Sequence, residues 1–73
     1  MKLKNLIHKL RNENSPLGEV TRIIEKDSHY HSYQNESRLK EYLSQKMKQK
    51  GMLTHFAELL SIHELINHQV TEN

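Results

Sequence analysis

Apolar positions recur along this chain with the period of a helix, and no stretch alternates with the period of a strand. The clearest run is 36–50, ESRLKEYLSQKMKQK, where Leu39, Tyr42, Leu43 and Met47 fall at i, i+3, i+4 and i+8 and line one side of a helix. Asn35 stands at the N-cap position, Glu36 favours the first turn, and Gly51 follows as a C′ residue. This predicts a central helix, with the other helices closing over its apolar seam. Upstream, Leu3, Leu6, Ile7 and Leu10 repeat at i, i+3, i+4 and i+7 and predict a first helix over 1–11, ended by Asn12-Glu13-Asn14. Ser15 as N-cap and Pro16 at N1 then start a second helix that runs to about Lys26. Its Leu17, Val20, Ile23 and Ile24 occupy roughly a third of the circumference at ~100° per residue.

Residues 27–35, DSHYHSYQN, break the period and read as a loop, with Tyr30 expected to plug the core. Beyond Gly51, Thr54 is a candidate N-cap for a helix of about two turns. Ser61-Ile62-His63-Glu64 then spells a capping box, and Leu60 and Leu65 stand where its hydrophobic staple belongs. That predicts a break at Ser61 and a separate last helix with Ile62, Leu65, Ile66 and Val70 on its apolar face, fraying from about 71. The expected fold is all-α, a compact bundle of four to five short helices. Its core is expected to hold Leu6, Ile7, Leu10, Val20, Ile23, Ile24, Leu39, Tyr42, Leu43, Phe56, Leu59, Leu65 and Ile66, with Tyr30 from the loop.

Length and composition narrow the class. At 73 residues the chain reads as one domain, 1–73. It has no cysteine, which removes disulfides, thiolate zinc sites and a cysteine nucleophile. There is no apolar run near the ~20 residues a bilayer demands and no signal-like apolar region at the N-terminus, so a soluble, cytoplasmic protein is expected. The net charge of +2 is small but divided: residues 1–50 carry all eleven Lys and Arg against six acids, and residues 51–73 carry Glu58, Glu64 and Glu72 with no Lys or Arg.

The order of signals resembles the YozE-like family of small bacterial proteins, whose fold is similar to the sterile alpha motif. The resemblance covers about residues 6–70. It rests on a short apolar helix leading into SPLGEVTRIIEKD, on a polar loop with an aromatic, on RLKEYL, and on a capped terminal helix. Asp27 matches the family's Asp and Tyr30 stands for its Phe, but His31 replaces the following proline. Leu39, Tyr42 and Leu43 match I-x-x-Y-L, and Ile66 and Val70 fall where the family carries a Trp and a Tyr. The resemblance implies a non-enzymatic helical domain that binds protein or nucleic acid.

Candidate chemistry is sparse. Six histidines invite a metal reading, but His63 and His68 are five apart, so their rings diverge by about 140° on one helix and cannot share a zinc as an i, i+4 pair does. His29 and His31 flank one residue of the loop and would need a third ligand from elsewhere. No spacing assembles a nucleophile, a base and an oxyanion donor, so no enzyme, cofactor, metal or small-molecule substrate is expected. Nucleic acid is the alternative to a protein partner. The central helix carries Arg38, Lys40, Lys46, Lys48 and Lys50 against Glu41 alone. With Leu39 at zero, however, Arg38 lies at about 260°, Lys40 at about 100° and Lys48 at about 180°, a scatter and not a concentrated reading face. The first helix is flanked by Lys2, Lys4, Lys9 and Arg11 without an acid, a layout shared by membrane-surface helices, but it has no Trp or Phe anchor, and snorkelling lysines on a core helix account for it. The favoured expectation is protein–protein interaction, including head-to-tail self-association between the basic N-terminal body and the acidic C-terminal segment. Arg38, Lys40, Lys48, Lys4 and Arg11 are the candidate contacts for a partner or for nucleic acid.

Overall fold

In a computed structural model of the chain, which describes residues 1–71, four helices form an all-α bundle with no strand among the described residues. Helix α1 is Leu3–Leu10, α2 is Pro16–Lys26, α3 is Glu36–Gln49 and α4 is Leu53–Thr71, with a short 3-10 turn at Tyr30–Ser32 between α2 and α3. Helix α4 packs against each of the other three, α1 lies on α2, and the 3-10 turn also rests on α2.

The boundaries follow local chemistry. Ser15 Oγ accepts the Gly18 N–H at 3.3 Å and Pro16 opens α2, so two of the orphan donors need no further partner. Asn35 Oδ1 accepts the Arg38 N–H at 3.1 Å and caps α3. Gly51, with φ +71°, ends α3 in the left-handed region. The Met52 N–H then reaches Met47 O at 2.8 Å and the Gly51 N–H reaches Lys48 O at 3.2 Å, the paired bonds of a Schellman motif. Helix α1 is shorter than expected. Its first N–H groups have no local cap, and Glu36 of α3 supplies one instead, accepting the Leu3 N–H at 2.9 Å.

The seam on α3 is buried, with Leu39, Leu43 and Met47 at most 2% exposed, and it meets Leu3, Leu6, Ile7, Val20, Ile24, Tyr30, Phe56 and Leu59 in one core. Tyr30 does plug the core from the loop, at 3% exposure. Leu10, Ile23, Tyr42 and Ile66 pack against the core from its edge, half-buried. The buried side of α2 is turned toward Thr21, whose hydroxyl donates to Gly18 O at 2.8 Å and so carries no unmet polar group into the core.

The C-terminal half departs from expectation. No break occurs at Ser61, and α4 runs through it as one helix. It also starts before Thr54, which is therefore not its cap: the Phe56 N–H already bonds to Met52 O at 3.1 Å. Between Leu53 and Thr71 there is no Gly or Pro to stop propagation, and a capping-box spelling inside a packed helix has no orphan donors to satisfy. Continuity changes which residues face inward. Taking Phe56 as zero at ~100° per residue, Leu59 and His63 fall within 60° of it and Leu65 falls at about 180°. Leu65 accordingly leaves the expected core and is 60% exposed, while His63 enters it at 1%. The side chain of Val70 and residues 72–73 lie outside the described residues.

Candidate functional site

Three elements converge beside the exposed side of α3. Asp27, the residue after α2, turns its carboxylate toward α3, where the Tyr42 hydroxyl donates to Oδ2 at 2.6 Å and Lys46 Nζ stands 3.6 Å from the same oxygen. The His29 N–H donates to Asp27 Oδ1 at 2.8 Å. Tyr33, just past the 3-10 turn, stacks on the Tyr42 ring with centroids 5.0 Å apart and planes 26° from parallel. His29 meets the same ring edge-on at 6.2 Å. Of these, His29, Tyr33, Tyr42 and Lys46 line an open hollow of about 760 Å³ together with Arg38 and Glu41. A second hollow of about 480 Å³ shares His29 and Lys46 with it and extends the surface past Lys26 and Lys50, with Met47 beneath.

The electrostatics of the cluster are mutual. The Tyr42 hydrogen bond holds the Asp27 carboxyl below its ordinary range against the cost of burial, and the His29 N–H and the Lys46 charge act in the same direction. The same bond to Asp27, together with burial, raises Tyr42 to about 12. Tyr30 is also raised to about 12, mainly by burial and then by the Glu25 charge. The Asp27–Tyr42 pair is thus one acid fixed as the anion and one phenol fixed as the donor at neutral pH.

The five basic residues picked from the sequence do not form one surface. Arg38 borders the tyrosine hollow. Lys40 faces the other way, into a hollow of about 490 Å³ with Glu64, Leu65 and His68 of α4. Lys48 is exposed near the end of α3. Lys4 lies 5.2 Å over the Tyr30 ring, and Arg11 stands 3.9 Å from Glu25, which also meets His8 at 3.4 Å. The two loop histidines are turned to separate tasks: His31 Nε2 lies 2.8 Å from the Glu25 carbonyl, to which it donates, while His29 packs on Tyr42. Among the described residues, no group of three or more His, Asp or Glu side chains is placed to hold a metal, and no helix is long and apolar enough to cross a membrane.

A second polar cluster lies under the chain start. Buried His63 places Nε2 2.8 Å from Met1 O and 3.3 Å from Glu36 Oε1. The same nitrogen lies 3.1 Å from the Asn67 amide nitrogen, while Nδ1 is left buried without a partner. Glu36 joins this cluster to α1 through its bond to Leu3, and Asn67 Oδ1 accepts from the Met1 amino group at 2.8 Å. His63 therefore ties together the chain start, α3 and α4. Its inward role was concealed by the expected break at Ser61. Carrying the helical period from Phe56 through Leu59 would have placed it on the buried side.

A small all-α bundle bearing an exposed, aromatic and basic face is the class that these features define. No known protein family, curated protein or solved structure matches the chain.

Proposed function

We propose that the chain is a non-catalytic binding module whose partner is another protein, met by the face that Tyr33, Tyr42 and Arg38 form at the edge of α3. The observation that carries this reading is the Tyr33–Tyr42 stack, half-buried yet lining an open hollow with Arg38 beside it. Tyrosine and arginine are the residue types that concentrate binding energy at protein interfaces, because a rigid ring or a planar guanidinium buries much area for little lost freedom. The Asp27–Tyr42 bond and the stack hold the rings in place before a partner arrives, which lowers the ordering cost of binding.

A non-enzymatic role agrees with the titration of the pair. General acid–base work at neutral pH favours a group that titrates near 7, whereas Asp27 is pushed down and Tyr42 up to about 12. Kinship with the YozE-like family and its sterile-alpha-motif-like fold belongs to the same proposal. It is supported by the meeting of two residues of the resembling motifs, Asp27 and Tyr42, in one hydrogen bond. A cytoplasmic setting is supported by a chain without cysteine.

The test is affinity capture from the source cells with wild-type protein and with Arg38→Glu and Tyr33→Ala variants that retain their helical circular dichroism. A protein retained by the wild type and lost by both variants is the expected result. Binding to duplex DNA or to RNA that falls steeply with salt, and that disappears when Arg38, Lys40 and Lys48 are removed together, would replace this reading with nucleic-acid binding.

A further inference from the structure

The hollow next to the tyrosine face gathers cations that the sequence keeps apart. Lys26 is the last residue of α2, and Lys46 and Lys50 stand one turn from each other at the end of α3. All three line one concavity of about 480 Å³, together with Ser28 and His29. Its apolar wall is Ile23, Leu43 and Met47. A lysine at the carbonyl end of a helix is ordinary when it stands alone. Here the ends of two helices bring three of them to one place. Asp27 is the single acid on this hollow, and its oxygens are already engaged. Oδ2 accepts the Tyr42 hydroxyl at 2.6 Å and faces Lys46 at 3.6 Å, and Oδ1 accepts the His29 N–H at 2.8 Å. Asp27 thus answers Lys46. Lys26 and Lys50 are exposed and form no ion pair among the described residues.

Two free ammonium groups and a serine hydroxyl beside an apolar wall suit an occupant with several acceptor oxygens, a concentrated charge and a short carbon stem. A phosphate monoester has that form: three acceptor oxygens and a charge of about −2 at neutral pH. A carboxylate brings two oxygens and one charge, and leaves one lysine unanswered. We infer that the hollow between the ends of α2 and α3 receives a phosphorylated side chain of the partner protein, an inference that rests on the reading of the tyrosine face as a protein-binding surface. The phosphate accepts from Lys26, Lys50 and the Ser28 hydroxyl, and the stem lies along Ile23 and Met47. Lys46 stays with Asp27 and lines both hollows, so it marks the path from one to the other. The partner's chain crosses it onto the Tyr33–Tyr42 stack and reaches Arg38. The rings supply burial and the phosphate sets the register. A continuous polyanion fits less well. Its phosphates are diesters of single charge strung along a backbone, and on this face they meet Asp27 and Glu41 as well as the lysines.

Amide chemical-shift titration of the full-length protein tests this with three probes: phenyl phosphate, benzoate and dimethyl phosphate. Phenyl phosphate should bind about fivefold more tightly than either of the others, because it alone carries a second charge. Its shifts should centre on residues 26–29 and 46–50. Lys26→Gln with Lys50→Gln, changed only at exposed positions, should weaken phenyl phosphate about tenfold and leave helical circular dichroism intact. Tyr33→Ala should leave that affinity unchanged. Capture from the source cells then connects the hollow to the partner. The protein retained through Tyr33 and Arg38 should be lost when the lysate is treated with phosphatase, and lost again with the double lysine variant. Benzoate bound as tightly as phenyl phosphate, shifts centred elsewhere on the bundle, or affinity indifferent to the two lysines overturns the inference. Dimethyl phosphate bound as tightly as the monoester overturns it in favour of a nucleic-acid or lipid diester. A partner that needs Tyr33 and Arg38 but survives phosphatase removes the phosphate and leaves the protein-binding reading standing. Capture that is indifferent to Tyr33 and Arg38 brings down both.

Discussion

Gly18→Ala is the substitution for which secondary-structure propensity and tertiary packing make opposite forecasts. Gly18 lies in the first turn of α2, where alanine is the better helix former by about 1 kcal/mol and also lowers the entropy of the unfolded chain. On those grounds alone the variant would be more stable. The structure reverses the sign. A Cβ built on Gly18 stands 2.0 Å from the carbonyl oxygen of Glu13 and 2.8 Å from its carbonyl carbon, both backbone atoms. Relief requires the 12–14 segment to move by about 1 Å or more, since carbon and oxygen do not approach much below 3 Å. That segment is held by the Glu13 N–H on Leu10 O at 3.0 Å and by Arg22 Nη1, which donates to Glu13 O at 3.1 Å and to Arg11 O at 2.8 Å. The strain of overpacking, typically 1–3 kcal/mol, and about 1 kcal/mol for a disturbed hydrogen bond outweigh the helix preference. The net loss should be about 1–3 kcal/mol, and each kcal/mol lowers the melting temperature of a domain this size by about 4–8 °C. Thermal and urea unfolding followed by circular dichroism give both numbers. A Gly18→Ala protein as stable as the wild type, or more so, would show that α1 and α2 do not approach as closely at their junction as described.

Further outcomes follow from the core and the two polar clusters. Leu43→Ala, at a site with no exposure, should cost about 2–5 kcal/mol in urea unfolding, while Leu65→Ala on the exposed side of α4 should stay within about 0.5 kcal/mol; equal losses at the two sites would contradict the register of α4 on the bundle. Tyr42→Phe should lose about 1.5–3 kcal/mol with the bond to the Asp27 carboxylate. Because Asp27 is depressed in the folded state, its contribution is present above the unfolded value near 3.9 and fades as pH falls through the lower folded value. Tyr42 is raised, so its contribution is intact below about 10 and fades as pH climbs toward about 12. Ultraviolet titration of phenolate should therefore show two late tyrosines, Tyr30 and Tyr42, and only one in the Tyr42→Phe variant; two late phenols in that variant would refute the assignment. His63→Ala should cost about 2–4 kcal/mol and speed exchange of the Leu3 amide, which Glu36 holds beside it; unchanged exchange at Leu3 would mean that His63 does not secure the chain start.

Local information in the chain was enough for α2 and α3. Ser15-Pro16, Asn35 and Gly51 act on their own backbone within a few residues, so their caps form wherever the helices are placed. The seam at Leu39, Leu43 and Met47 was equally legible, because helical spacing alone puts those residues on one side. The candidate site was legible only as residue types. Arg38 and Tyr42 stood out in the sequence, but the bond between Tyr42 and Asp27 joins residues fifteen apart and depends on the angle at which α2 meets α3. Helical spacing already set Lys40 and Arg38 on different flanks of α3, and the tertiary structure decided only what each flank meets: α4 on one and the tyrosine loop on the other. The C-terminal half shows the same division. A capping box and a staple are local patterns, and at Ser61 they were outweighed by continuous packing of α4 against three helices, with no Gly or Pro to interrupt it. Which side of a helix is apolar is written in the spacing of its residues; whether that helix continues through a plausible stop, and which distant side chains its flanks then meet, is decided by burial summed over the whole bundle.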